Sequence, residues 1–447
     1  MQHSNREIPG SGGKLSVLLA WLNLRSGNLL KCCRTSASIP LWLISREIMD
    51  LRTTPEDDAF RQQVRAFVEK HGHQAPPAAD LNLRTPERRR WQQLLLARGY
   101  IARTVPSDYG GYGAAPDPMK QRILSEEFSR AGITDRMLIA NRQGVSMLVP
   151  TLLAHGTQEQ RAQWIPPTLR GEVIWCQGYS EPDAGSDLAG LRTSAKQEGD
   201  YFVINGQKIW TSEAQQADMM FCLVRTEPDA PRHRGISFIL VPMATEGVEV
   251  RPLKTMTGRS SFNEVFLTDV RVPIGNVVGG RGNGWRVANE ALQHERGALG
   301  NPEVAEARFQ ALLDLMRKRD GSGRRAMDNP VLVDRFLGLQ AWLVAMRANS
   351  SRILTHRMKD EDPGMAQLIV KLQGCELNHE LCALAIDVQE ELGTLYGDSV
   401  RDTHEWQKNY MFDLGLIIGG GTAQIQRNII AERGLGMPRD SYGAVGR

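Results

Sequence analysis

No stretch of this 447-residue chain is apolar for long enough to cross a bilayer, which excludes a helical membrane span. Cysteine is scarce, and none of the six sits at metal-ligand spacing from a second pair, so a structural metal site is excluded. Cys32 and Cys33 are adjacent, whereas Cys176, Cys222, Cys375 and Cys382 are scattered. Cys375 and Cys382 lie seven apart on a helical pattern and read as core thiols, reduced as in a cytosolic or matrix protein. There is no internal repeat. Charge of one sign is also missing from the body. The formal net charge is +3, yet residues 1–48 alone carry six basic residues against Glu7 and Glu47. The remainder is close to neutral and offers no electrostatic basis for binding nucleic acid.

What is present is an ordinary globular composition, 41% hydrophobic and 23% charged, in a chain long enough for two or three domains. Residues 1–48 are basic, Ser-rich and almost free of acids, unlike the rest. From about Pro55 to Leu169 the apolar period is helical, as in Phe60, Val64 and Phe67, with a break at the Pro/Gly loop Val105–Gly113. Between Val173 and Pro273 the pattern changes to short β-branched and aromatic runs bounded by turn residues: Tyr201–Gln207, Gly235–Pro242 and Val265–Leu267. The helical period then returns, with segments expected at about 285–300, 303–318, 329–358, 364–393 and Thr422–Glu432. The pattern predicts an α+β chain: an extension at 1–48, a helical domain at 49–172, a β domain at 173–277 and a helical bundle at 278–447.

Two runs carry the chemistry. Gly178-Tyr179-Ser180-Glu181-Pro182-Asp183-Ala184-Gly185-Ser186-Asp187-Leu188-Ala189-Gly190 sets glycines and hydroxyls around acids, which lets backbone N–H groups approach a ligand closely. Lys208-Ile209-Trp210-Thr211-Ser212 ends a strand-like segment with an aromatic plane and two hydroxyls, suited to a flat ring with polar edges. In this order and spacing they resemble the acyl-CoA dehydrogenase family of flavoenzymes, and the resemblance runs from about Met49 to Arg439. It implies a helical domain, a middle β-sandwich or barrel and a C-terminal four-helix bundle around FAD. It further implies that Ser180 bonds the flavin, that Gly185 and Ser186 lie near the pyrophosphate and the CoA moiety, and that Trp210, Thr211 and Ser212 lie against the ring, with Ser212 near N5. Tyr179 departs from the family, which usually has an aliphatic residue there.

Near the C-terminus, Gly419-Gly420-Gly421-Thr422-Ala423-Gln424 is similar to the family's last-helix motif, implying that Thr422 and Gln424 help hold FAD. Many members carry a glutamate base immediately before the Gly-Thr pair. Gly420 stands there instead, and the resemblance leaves it an N–H that polarises the thioester carbonyl. In Gly284–Gly300, helical spacing puts Glu295 on the face of Trp285, Ala288, Leu292 and Leu299, with Arg296 at its edge. Some members, among them long-chain and isovaleryl-type enzymes, carry their base at this Glu-Arg position. The implied reading is Glu295 as base, with Ser186 and Arg296 toward the substrate. The family's Arg- and aromatic-bearing segment is not recognisable in Ala305–Arg325, and Leu392–Gly397 keeps only Gly393 as a candidate contact.

The expected activity is α,β-dehydrogenation of an acyl-CoA to a trans-2-enoyl-CoA, with an electron-transfer flavoprotein as acceptor and a homodimer or homotetramer as the assembly. The rivals are a flavin oxidase or monooxygenase on the same fold and an inactive partner subunit of a heteromeric enzyme. Residues 1–48 read either as an organellar transit peptide, placing the protein in the mitochondrial matrix, or as the product of an upstream start codon. On the second reading, Met49-Asp50-Leu51 opens a bacterial, cytoplasmic protein.

Overall fold

A computed structural model describes residues 52–78, 80–300, 302–396 and 404–438; the side chains of 135–136, 293–299 and 404 fall outside that description. The extension at 1–48 and the side chains of Glu295 and Arg296 therefore lie outside the described residues.

The N-terminal helices are started by the same local device. Helices α1 (Pro55–His71), α2 (Pro86–Ala97) and α3 (Pro118–Arg130) each begin with proline directly after a capping Thr54, Thr85 or Asp117. Proline's fixed φ suits the first helical position, and the cap oxygen takes an otherwise orphaned N–H. Thr54 and Asp57 form a reciprocal box, the Thr54 N–H donating to Asp57 at 2.9 Å and the Asp57 N–H to Thr54 Oγ1 at 3.1 Å. Val64 and Phe67 are buried, and Phe67 meets Trp91, Tyr100 and Phe128 in an aromatic core at centroid separations of 4.9–6.5 Å. Behind it, Glu127 on α3 is buried and accepts from Arg61, Arg65 and Arg130. Helices α4 (Val149–His155) and α5 (Gln158–Leu169) lead into the sheet.

The middle region is an eight-stranded sheet. Its strands are β1 (Trp175–Gly178), β2 (Ser194–Glu198), β3 (Tyr201–Ser212), β4 (Met219–Arg225), β5 (Ile236–Pro242), β6 (Val248–Leu253), β7 (Phe262–Pro273) and β8 (Val277–Val278). The order is β6-β7-β3-β2-β4-β5-β8, with β1 pairing alongside β4. Pairing is antiparallel except for β1 and β2 on β4. β4 and β5 are buried on both faces, hence their unbroken apolar runs. Tyr179 sits in this core, edge-on to Phe221 at 5.8 Å and to Phe238 at 6.3 Å, so the unusual residue is absorbed by aromatic packing.

The C-terminal bundle comprises α6 (Gly284–Leu299), α7 (Pro302–Arg317), α8 (Pro330–Met358), α9 (Val370–Val388), α10 (His404–Ile418) and α11 (Ala423–Ile429). The segment expected at 364–393 is broken into a turn at Met365–Leu368, α9, and a 3₁₀ turn at Glu390–Thr394. Helix α10 has no counterpart among the expected segments. The last helix stops at Ile429 and continues as a π turn to Gly434. Cys176, Cys222, Cys375 and Cys382 are buried free thiols, and burial pushes Cys222 and Cys375 up to about 11 and Cys382 up to about 12.

Candidate functional site

The first candidate group is built where β3 is interrupted. Lys208 pairs with Val265 and Thr211 with Asn263, so β3 carries one residue more than β7 between them. That residue count is absorbed at Trp210, which adopts φ +60. A left-handed conformation costs a non-glycine residue about 1–3 kcal/mol and persists only where its surroundings hold it. Asn263 Nδ2 donates to Thr211 O at 2.9 Å, the Glu213 N–H donates to Ser261 O at 3.0 Å, and Phe262 meets the indole edge-on at 6.0 Å. The result is an indole left 58% exposed, not a core tryptophan. Ser212 is half-buried beside it. Thr211 is fully buried, so its side chain faces the interior, whereas the indole and the half-buried Ser212 reach the surface.

Ser180 joins this group directly. The Ile209 N–H donates to Ser180 O at 2.9 Å, which sets the half-buried serine against the Trp210 segment. One residue on, Glu181 and Ala184 bond each other's backbone at 3.0 Å in both directions, turning the chain. Gly185 and Ser186 are exposed on the loop that follows. Arg225 fastens the loop's far side, donating to Ala189 O at 2.9 Å and Leu191 O at 3.1 Å, and Asp187 pairs with Arg232.

Beneath the exposed residues lies a buried ion pair that sequence reasoning passed over. Lys208 is completely enclosed, and its ammonium donates to Tyr179 O at 3.2 Å and Glu181 Oε1 at 2.8 Å. Glu181 also accepts the N–H groups of Arg192 at 2.6 Å and Thr193 at 2.9 Å. Burial pushes the Glu181 carboxyl up, but the Lys208 charge and these hydrogen bonds outweigh it and hold it below the usual carboxylate range. A signal was available. On β3 the alternation Phe202, Ile204 puts Lys208 on the same buried face, and a lysine there demands a buried partner.

The second group lies in the bundle. Gly420 and Gly421 have φ +65 and +92, conformations that favour glycine. Gln426 Nε2 donates to Gly420 O at 3.0 Å, and Thr422 Oγ1 accepts the Ile425 N–H at 3.1 Å, capping α11. Gln424 is exposed. Lys371 at the start of α9 is buried and donates to Ile417 O at 3.0 Å, at the end of α10, and to Gly421 O at 2.8 Å, in the glycine loop. The adjacent residue, Val370, meets the end of α6: a Cβ on Gly300 would stand 2.5 Å from Val370 O. The start of α9 thus ties the glycine loop to the end of the helix that carries positions 295 and 296. Among the described residues no hydrogen bond joins this group to Ser180 or Trp210.

Gly393 is buried where a Cβ would press on Ile386, and its carbonyl accepts from Gln407 at 3.0 Å; its place is explained by packing. A cavity of about 630 Å³ between Ala154–Thr157 and Gly279–Arg281 is lined by none of the candidate residues. Among the described residues no cluster of His, Cys, Asp and Glu is arranged to hold a metal ion, and no helix is long and apolar enough to cross a membrane.

An exposed aromatic plane held in a strained backbone, flanked by two half-buried serine hydroxyls, fits a planar cofactor with hydrogen-bonding edges. Comparison with known proteins identifies the family. The acyl-CoA dehydrogenase N-terminal, middle and C-terminal domains match residues 54–172, 176–270 and 282–435. The chain is similar to acyl-CoA dehydrogenase IpdE1 of Mycolicibacterium smegmatis, 41% identical over 370 residues covering 80% of this chain and 90% of that one. It is similar to the mitochondrial short-chain specific enzyme of Mus musculus, at 29% identity over 83% and 88% of the two chains. Among solved structures, the Tcur3481-Tcur3483 steroid ACAD superposes with a TM-score of 0.73 at 29% identity, covering 88% of this chain and 100% of that one. The Mycobacterium tuberculosis ChsE4-ChsE5 complex superposes with a TM-score of 0.70 at 31% identity, covering 88% and 100%. The chain belongs to the acyl-CoA dehydrogenase family and is an FAD-dependent acyl-CoA dehydrogenase.

Proposed function

We propose that the protein removes hydrogen from the Cα–Cβ bond of an acyl-CoA thioester, with Glu295 as the general base. The observation that carries this assignment is the backbone at Gly420. Its φ of +65 suits glycine and disfavours a glutamate at the position where many relatives keep their base. The carboxylate is then sought on α6, whose buried residues Gly284, Ala288 and Ala291 step along one face with position 295 next in the series. Glu295 takes the α-proton, and the Gly420 N–H polarises the thioester oxygen, which acidifies that proton. Bound FAD supplies the hydride acceptor. Trp210 and Ser212 orient it from one side, Ser180 bonds its edge, and Thr211 supports the bulge through its backbone. Gly185 and Ser186 face its pyrophosphate, with Thr422 and Gln424 holding it from the bundle. Ser186 and Arg296 meet the CoA ester.

The steroid ACAD likeness supports a polycyclic acyl chain as substrate, and the mycobacterial relatives support a bacterial, cytoplasmic setting; an electron-transfer flavoprotein is the acceptor proposed with them. Two of the structural relatives carry paired names, which favours a second reading of the assembly: a heteromer with a related chain instead of a homodimer or homotetramer.

The test is anaerobic bleaching of the flavin by steroid and straight-chain acyl-CoA esters. Glu295→Gln is expected to keep FAD and bind ester, but to reduce flavin roughly 10²–10⁴-fold more slowly. A wild-type rate in that variant removes the base assignment. Rapid oxygen consumption by the reduced protein favours an oxidase. Failure of the wild type with every ester, alone and with a co-expressed related chain, favours an inactive subunit.

A further inference from the structure

The buried Lys208–Glu181 pair takes no part in the chemistry above, and an apolar residue at 208 would continue the Phe202 and Ile204 face at no desolvation penalty. Its contacts converge on one short stretch. Lys208 holds Tyr179 O and the Glu181 carboxylate, while its neighbour Ile209 holds Ser180 O. Residues 179, 180 and 181 are thus each fastened to 208–209, immediately before the strained Trp210. Glu181 also takes the N–H groups of Arg192 and Thr193, closing the base of the whole loop. A charge pair at the root of a glycine-bearing loop sets where that loop stands, because each ion has only the other and a few fixed dipoles to satisfy it.

We propose that Lys208 and Glu181 are positioning residues for the cofactor face: together they fix the separation between Ser180 on the loop and Trp210–Ser212 on the bulge. This rests on the reading of Ser180, Trp210 and Ser212 as flavin contacts. The pair reaches the flavin only through those residues and touches neither cofactor nor substrate.

The experiment compares Lys208→Met, Lys208→Met with Glu181→Gln, and Glu181→Gln alone with the parent. Binding is read by titrating apo-protein with FAD, and geometry by the visible absorption and circular dichroism of bound flavin. Lys208→Met strands a buried carboxylate and is the variant most exposed to misfolding; the double variant removes that charge. A double variant that unfolds cooperatively near the parent's midpoint is expected to bind FAD at least ten-fold more weakly and to show a shifted flavin spectrum. If it does not fold, Glu181→Gln, which keeps the side chain's shape, carries the same comparison. A folded variant with the parent's FAD affinity and spectrum overturns the proposal and leaves the pair purely structural. Trp210→Ala and Ser212→Ala separate the two ideas. If they alter affinity or spectrum and the pair variants do not, only the positioning role fails. If they too leave both unchanged, the site reading itself fails.

Discussion

Substituting Gly284 by alanine tests how tightly the helix proposed to carry the base is registered. Gly284 opens α6 directly against β5: an added Cβ would stand 2.5 Å from Phe238 N and 2.6 Å from Ser237 Cα. Both are backbone atoms of a strand buried on both faces, so the strand cannot yield. Restoring an ordinary contact distance requires the helix start to move out by about 1 Å. Overpacking of this kind costs about 1–3 kcal/mol. A displacement of about 1 Å in a catalytic group can cost on the order of 10²-fold in rate. The far end of α6 is equally close to Val370, so the helix tilts instead of sliding freely. Gly338→Ala is the control: it lies on α8 with nothing near its absent Cβ, and is expected to gain about 0.5–1 kcal/mol. Chemical denaturation measures the first quantity and single-turnover flavin reduction the second, with FAD content checked in each variant. Gly284→Ala that is destabilised yet reduces flavin at the parent rate refutes the link between helix position and chemistry. Gly284→Ala as stable as the parent refutes the close approach itself.

Trp210→Ala is expected to weaken FAD retention and change the flavin spectrum; apo-protein titration checks it, and unchanged values leave the indole without a role. The double variant Glu295→Gly with Gly420→Glu is expected to recover only a small part of the lost flavin-reduction rate, since the new glutamate must occupy a left-handed backbone costing about 1–2 kcal/mol; full recovery in stopped-flow reduction counts against the strain argument. Burial pushes Glu127 up, but its bonds to Arg65 and Arg61 and the Arg130 charge hold its carboxyl below the ordinary 4.5. Its contribution to stability is therefore present above pH 4.5 and is lost as acid protonates it. Glu127→Gln is expected to lower the unfolding free energy at pH 7 by about 1–3 kcal/mol and to flatten the acid limb of stability against pH; an unchanged limb removes Glu127 from the acid transition.

The domain order was legible because periodicity changes abruptly at Val173 and again at Gly284; the proline after a capping residue that opens three N-terminal helices and Pro330 is a sequence mark that went unused. β4 was not legible: Met219–Val224 is apolar without alternation, and such a run does not distinguish a doubly buried strand from a buried helix. Helix α10 was missed because Gly415 interrupts an apolar segment whose exposed residues include Phe412, Leu414 and Ile418, which blurs any single face. Within the site, the motif residues were visible as motifs. The bulge was not, because it exists only through the pairing of β3 with Asn263 and Phe262, and a one-residue slip in register leaves no mark in either strand.

The bulge also sets the order in which the two parts of the cofactor face can assemble during folding. Asn263, which fixes Thr211, lies 52 residues beyond it. β2 and β3 can pair as soon as both are made, as neighbours in the chain. The left-handed turn at Trp210 lacks its Asn263 and Ser261 braces until β7 closes over β3, a long-range step that is intrinsically slow. A chain emerging residue by residue therefore has the serine loop before it has a surface for the ring. The Trp210 face of the site, unlike the loop and the bundle contacts, would therefore appear in refolding only with the closure of one particular strand pair.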